Sequence, residues 1–328
     1  MSPPEQLAVL ERGLDRHPAY LAWRLAAGNG RAPASIELLK PEKLKSAVYR
    51  LKGLGRDSST VVAKRCPPGS LTTEVRLYRE VLPSISLPGL EIYAHVEGID
   101  GFDWLFLEDA GETWYSRRRP EHQALAVDWL ARLHAGTSPG VAWLPETGVE
   151  YFQSILGSAQ DGVRRGLGHG ALSESDRDVL ARILSSLDGV ADEWHRVEDA
   201  CAHMPTALVH GDFVPKNVRV RRRGTTSELV AFDWETAGVA PPSVDIAMLR
   251  GAEHHRRRYL AIVRETWPGL GRQDVERLEA VGTLFRLLHE VYWENRSFAY
   301  AWIERAMRKM TVYDQRLGSL LAEGAWRA

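Results

Sequence analysis

His210-Gly211-Asp212-Phe213-Val214-Pro215-Lys216-Asn217, followed downstream by Phe232-Asp233-Trp234-Glu235, is the most informative stretch of the chain. Asp212 precedes Asn217 by five positions, and Asp233 follows Asn217 by sixteen. Between them two β-rich runs flank the turn Gly224-Thr225-Thr226, with Arg221-Arg222-Arg223-Gly224 read as the hairpin tip. The spacing predicts a carboxylate and an amide on one tight loop and a second carboxylate at the end of the returning strand. Such a set suits phosphoryl transfer. Magnesium is a hard cation that takes oxygen ligands and shares them with substrate phosphates, so Asn217 and Asp233 are the expected metal ligands. Asp212 is then available to accept a hydrogen bond from an attacking hydroxyl and aim it at the γ-phosphorus. An alcohol is a poor acid and the transition state is loose, so Asp212 is expected to act more by orientation than by early proton removal.

Outward from this stretch the chain changes texture once. From about Ser35 to Leu107 it reads as short β-rich runs (SIELL, AVYRL, VVAKR, LEIYAHVEG, DWLFLED) around one helix, TTEVRLYREVL. From Glu121 onward it is mainly helical. Leu125, Trp129 and Leu133 recur at intervals of four, and Leu278, Val281, Phe285, Leu288 and Tyr292 alternate steps of three and four, the stripe of a core-facing helix. The glycine- and serine-rich stretch from Gly157 to Ser175 reads as a loop. No repeat or low-complexity tract interrupts the pattern.

The 328 residues exceed the usual size of one compact domain, so two lobes are expected. With 42 basic and 43 acidic residues there is no net field to draw nucleic acid or an anionic membrane. The run His254-His255-Arg256-Arg257-Arg258 reads as a solvated helix face. Cys66 and Cys201 are too few for a disulfide framework. Glu5, Glu11 and Asp15 break up the opening segment, which therefore lacks the apolar run of a signal peptide. No apolar run reaches the ~18 residues of a membrane span. A soluble, cytoplasmic protein with no nucleic-acid or membrane partner is the expectation.

HGD, four intervening residues, an asparagine and a later D-W-E resemble the signature of the aminoglycoside phosphotransferases and their choline-kinase-like relatives. The resemblance extends more loosely from about Ser46 to Ala247. It implies an α+β, protein-kinase-like bilobal fold, with a small β-rich N-lobe over residues 1–110 and a larger, mainly helical C-lobe over 111–328. It implies ATP or GTP with magnesium as cofactors, a role for His210 in bracing the catalytic loop, and a structural Asp245.

Upstream, Val61-Val62-Ala63-Lys64 is close to the lysine strand of protein kinases, making Lys64 the expected phosphate-binding cation. Glu74 and Glu80 on the following helix are its possible partners, and the family pattern favours Glu74. No G-x-G-x-x-G precedes Lys64; Gly53-Leu54-Gly55 reads as a plain hairpin turn, and the loop Lys43-Leu44-Lys45-Ser46 takes the phosphate-covering place, with the Ser46 hydroxyl as a contact. The stretch Trp104 to Gly111 resembles the family's hinge. By that resemblance the Glu108 carbonyl and Ala110 N–H would meet the purine edge, while the Glu108 and Asp109 side chains stay solvated.

The leading expectation is a small-molecule O-phosphotransferase, since no A-P-E element follows Asp233. Antibiotic inactivation comes first, then a metabolic kinase for choline, a sugar or homoserine, then a nucleotide-binding pseudokinase scaffold. For the acceptor, Glu290, Glu294 and Glu304 would suit a polycationic aminoglycoside. Tyr292, Trp293, Phe298, Tyr300 and Trp302 would suit a nucleoside, macrolide or other partly apolar molecule.

Overall fold

The computed structural model describes residues 9–28, 31–43, 46–136, 141–249, 252–324 and 326. Leu44 and Lys45 of the expected phosphate loop, and the first eight residues of the opening segment, lie outside the described residues. The architecture is α+β. An antiparallel sheet forms the N-terminal part from β1 (Val9–Leu10), β2 (Ser35–Lys43), β3 (Ser46–Lys52), β4 (Val61–Cys66), β5 (Ile92–Ile99) and β6 (Phe102–Glu108), in the order β1-β2-β3-β4-β6-β5. Helix α1 (Pro18–Ala27) covers one face. Its Trp23 meets Phe106 edge-on at 5.3 Å, and both pack with Ile36, Leu51, Val61 and Ala63. Side chains alternate across a strand. With Val61 and Ala63 turned into that core, Val62 and Lys64 are turned to the opposite face.

The loop at Gly53-Leu54-Gly55 is longer than the plain hairpin turn expected. A 3-10 turn at Arg56–Ser58 follows, and Asp57 and Ser58 adopt left-handed backbone angles. After β4, α2 (Thr72–Arg76) runs into a wide turn at Leu77–Val81, so the predicted helix is present but changes its hydrogen-bond pattern midway.

The C-terminal part is helical: α3 (Pro120–Ala135), α4 (Val149–Gly166), α5 (Glu174–Asp192) and α6 (Trp194–Cys201) precede a β-rich interruption. That interruption holds β7 (Ala207–Val209), β8 (Val218–Arg223), β9 (Thr226–Ala231) and β10 (Gly238–Ala240), where β8 pairs with β9 and β7 with β10. Then follow α7 (Ser243–Ile246), α8 (Glu253–Val263), α9 (Arg272–Glu294) and α10 (Glu304–Glu323). By contacts the chain divides into two compact units: one runs through His122 and resumes at Val214–Ala237, and the other comprises Gln123–Phe213 and the residues from Gly238 onward.

The expected loop from Gly157 to Ser175 is instead largely helical. Phe152, Ile155, Leu156, Ala159 and Val163 form a buried stripe on α4, which continues to Gly166. Two of its glycines are contact points. A Cβ at Gly162 would stand 2.1 Å from the Asn295 amide, and one at Gly166 would stand 2.9 Å from the Phe298 ring. Close packing thus outweighs the poor helix propensity of glycine, a cost of about 1 kcal/mol per residue. The basic run on α8 is likewise only partly a solvated face. His255 is buried, Arg256 pairs with Glu276 and Glu279, and Arg258 with Asp128.

On α9, Leu278, Val281, Phe285 and Leu288 are buried as their spacing predicts. Gly282 of the same helix admits α7: a Cβ there would lie 1.8 Å from the Ser243 carbonyl oxygen. Gly282→Ala is therefore expected to destabilise this unit by about 3 kcal/mol, the upper range for overpacking. Thermal or urea unfolding checks this, and an unchanged midpoint would contradict the close approach.

Candidate active site

In the first unit, the residues that the sequence singles out converge on Lys64. Its Nζ donates to Glu74 Oε2 at 2.7 Å and to Asp233 Oδ1 at 2.5 Å. Strand β4 supplies the lysine, α2 the buried glutamate, and the end of β9 the aspartate, 169 positions away. The choice between Glu74 and Glu80 is settled by geometry: Glu80 pairs with Arg76 one helical turn away, on the surface. Burial by itself would lower the Lys64 pKa. The two carboxylates outweigh it, and the ammonium is held well above its ordinary value.

Asn217 and Asp233 sit at one end of the β8–β9 ribbon. The register pairs Val218 with Ala231, and the Phe232 N–H donates to the Asn217 carbonyl at 3.0 Å. Asp233 follows directly with φ of 70°, a left-handed angle that aspartate tolerates better than most residues. This turns the chain sharply at the carboxylate. Glu235, two residues on, has its carboxyl pushed up by burial and then by Asp233. The Arg219 guanidinium lies over the Trp114 ring at 3.5 Å and over Phe232 at 5.2 Å, which ties this end of the ribbon to the segment after β6.

Ser46 opens β3, one residue before Ala47, which pairs with Arg65 beside Lys64. Glu108 ends β6, and Ala110 is buried just beyond it. The side chains of Glu108 and Asp109 are not simply solvated, as the sequence suggested. Glu108 pairs with Arg221 at 2.8 Å, and Asp109 pairs with Arg50 at 2.8 Å and accepts the Gly111 N–H. Arg50 also binds Glu37. Partners on β3 and β8 thus fix both carboxylates.

Asn217 and Asp233 offer an amide and a carboxylate oxygen, a donor set that fits a hard dication. Among the described residues there is no group of three or more His, Cys, Asp or Glu side chains placed to hold a metal. One carboxylate beside one amide is a donor set of the kind magnesium takes, since it is usually bound by one or two carboxylates plus phosphate and water.

Asp212 belongs to the second unit. Its loop leaves β7 through His210 and Gly211, the latter with φ of 77°. The Asp245 carboxylate, fully buried on α7, accepts the His210 N–H at 2.7 Å and the Gly211 N–H at 3.0 Å. His134 Nε2 lies 3.3 Å from the same carboxylate, and its Nδ1 lies 2.9 Å from the Tyr259 hydroxyl. Burial opposes ionisation of Asp245, but His134 and the loop N–H groups prevail and its pKa is lowered. Asp245 thereby braces the turn that carries Asp212. The buried His210 ring adds an acceptor for the Asp212 N–H at 3.4 Å. Phe213 stacks on Trp129 at 5.4 Å, anchoring the loop from its other end.

Sequence reasoning missed His134 and Tyr259. His134 lies four residues after the buried Leu130, so a polar residue on an apolar helix face was the available signal. It also placed Glu290 and Glu294 as carboxylates open to a ligand. They are instead paired across to α10, Glu290 with Arg316 and Glu294 with Lys309, each at 2.5 Å.

The family described as APH, phosphotransferase enzyme family, matches residues 41–302. Among curated proteins none matches. Solved structures do. A spectinomycin phosphotransferase, APH(9)-Ia, in complex with ADP and spectinomycin aligns at TM-score 0.66 with 10% identity, covering 93% of this chain and 97% of that one. A protein from Ralstonia eutropha described as a putative aminoglycoside phosphotransferase aligns at 0.63 with 17% identity, covering 94% and 97%. An ethanolamine kinase from Plasmodium vivax aligns at 0.56 with 14% identity, covering 87% and 82%. At these identities the likeness shows the fold, that of the kinase-like phosphotransferases. No helix among the described residues is long and apolar enough to cross a membrane.

Proposed function

The chain belongs to the phosphotransferase enzyme family and is a small-molecule kinase, and we propose that it moves the γ-phosphate of ATP or GTP, with magnesium, onto a hydroxyl group of an antibiotic-like acceptor in the cytoplasm. The observation that carries this reading is the Lys64 ammonium held between Glu74 and Asp233. A cation fixed by a helix glutamate is what binding of nucleotide phosphates requires in kinase-like sites.

In this reading residues 1–110 act as the N-lobe and 111–328 as the C-lobe. Lys64 engages phosphate oxygens, Glu74 holds it in place, and the Ser46 hydroxyl adds a phosphate contact. The Glu108 carbonyl and Ala110 N–H meet the purine edge. Asn217 and Asp233 hold the metal, which when bound supplies positive charge beside the phosphates. Asp212 accepts the hydrogen bond of the acceptor hydroxyl. The acceptor oxygen bonds to the γ-phosphorus as the bond from that phosphorus to the bridging oxygen breaks. The nucleoside diphosphate leaves, and the hydroxyl proton passes to Asp212.

A metabolic acceptor is the second reading, favoured by the likeness to an ethanolamine kinase. Mass spectrometry of hydroxylated antibiotics and amino-alcohols after incubation with ATP or GTP and magnesium tests both. One acceptor is expected to gain a single phosphate, with loss of that product in Lys64→Met. If nucleotide binds but neither an acceptor nor water receives phosphate, the chain is a scaffold and the proposal fails.

A further inference from the structure

Helix α9 carries a second feature that the phosphate chemistry does not use. Phe285, His289, Tyr292 and Arg296 follow one another at steps of four, three and four, so they share a face of the helix and the turn that extends it. At the buried end Phe285 stacks on Phe152 at 3.9 Å. One turn on, His289 Nε2 lies 2.9 Å from the Tyr151 hydroxyl, and the Tyr151 ring stands edge-on to the imidazole at 5.6 Å. Beyond it come Tyr292 and Trp293, with ring centroids 5.6 Å apart. The Arg296 guanidinium lies 3.9 Å over Trp293 and 5.7 Å from Tyr292. Trp293 is 52% exposed.

The electrostatics of this strip give it a direction. Burial holds His289 down to about 4, against the opposing pull of the Asp212 carboxylate and with help from Arg286. The imidazole is therefore neutral at ordinary pH and lies within the field of Asp212. The His289 end of the strip thus lies within reach of the charge of the carboxylate expected to receive the acceptor hydroxyl, and the other end is the exposed Trp293 ring under an arginine. Glu290 and Glu294 of α9 are already neutralised by Arg316 and Lys309. What remains along the strip is hydrogen-bonding capacity, aromatic area and the positive charges of Arg286 and Arg296, a poor match for a polycation, whose ammonium groups each need a partner when buried.

We infer that Tyr151, His289, Tyr292 and Trp293 form the acceptor subsite, and that it takes an uncharged, hydroxylated molecule with a flat body rather than a polycation. The inference rests on the reading of Asp212 given above. The Tyr151–His289 pair hydrogen-bonds to hydroxyl groups beside the one that reacts, and the Tyr292 and Trp293 rings cover the flat body. The rings give shape preference and the pair gives orientation.

The test uses the whole chain and two probes, para-nitrophenyl β-glucoside and kanamycin, with binding measured by saturation-transfer NMR at moderate salt. Wild type is expected to bind the glucoside at least tenfold more tightly than kanamycin. Trp293→Ala, at an exposed position, and His289→Phe, which keeps a ring against Phe152, are each expected to raise the glucoside Kd at least fivefold. No glucoside binding to wild type, a glucoside Kd unchanged from wild type in both variants, or tighter binding of kanamycin overturns the inference. ATP titration of wild type and of Lys64→Met reports on the nucleotide reading alone, so the failure of one is told from the failure of the other.

Discussion

Replacing Asp212 by alanine is expected to lower phosphate transfer by roughly three orders of magnitude or more, while the nucleotide Kd stays within about threefold of wild type. The two halves of this expectation have separate physical origins. Nucleotide binding is expected to depend on Lys64, Glu74 and Asp233, whose two carboxylates hold the lysine within a unit that does not contain Asp212. Turnover depends on aiming a weakly acidic hydroxyl along the line of displacement, a contribution made mainly in the transition state and lost with the carboxylate. The loop itself should survive the substitution, because Asp245 holds the backbone of His210 and Gly211 and not the Asp212 side chain. Single-turnover kinetics with nucleotide titration of the same preparation measure both quantities. Turnover within about tenfold of wild type would remove Asp212 from the mechanism.

Asp233→Asn is expected to abolish the magnesium dependence of nucleotide binding and to reduce activity below detection. Asparagine is the instructive substitution. The position has φ of 70°, where alanine would add backbone strain, whereas asparagine tolerates the angle and keeps the shape while removing the charge. Losing the carboxylate takes away one of the two acceptors on Lys64 and the proposed anionic ligand of the metal, leaving the Asn217 amide as the only assigned donor. Nucleotide titrations with and without magnesium, in variant and wild type, decide the matter. The same magnesium dependence in both would show that the metal is held elsewhere.

Much of this arrangement could be read from local pattern. Alternation in Val61-Val62-Ala63-Lys64 already turns Lys64 away from the core, and the three-four stripe on α9 identifies its buried face. The Asp212, Asn217 and Asp233 spacing locates the β8–β9 ribbon with its turn. What escaped was whatever depends on a partner far away in sequence. Glu290 and Glu294 look like two open carboxylates four residues apart, yet their cations lie 26 and 15 positions further on, on another helix. His134 reaches Asp245 across 111 positions, and no periodicity announces such a pair. The α4 error had a different cause. Glycine counts against a helix in isolation, but at Gly162 and Gly166 the missing side chain is the condition for packing against Asn295 and Phe298.

The order in which this chain is made bears on its first unit. Lys64 emerges early, whereas Asp233 follows 169 residues later, and the whole of Gln123–Phe213 is synthesised in between. At about 5 to 20 residues per second, the lysine waits roughly 10 to 30 s for its second carboxylate. Over that interval the sheet has Glu74 to hold the ammonium but lacks the ribbon that completes its contacts. A ribosome stalled anywhere before Ala237 therefore carries a first unit that is still unfinished, and a truncation placed after β6 would reproduce that unfinished state rather than yield a complete unit.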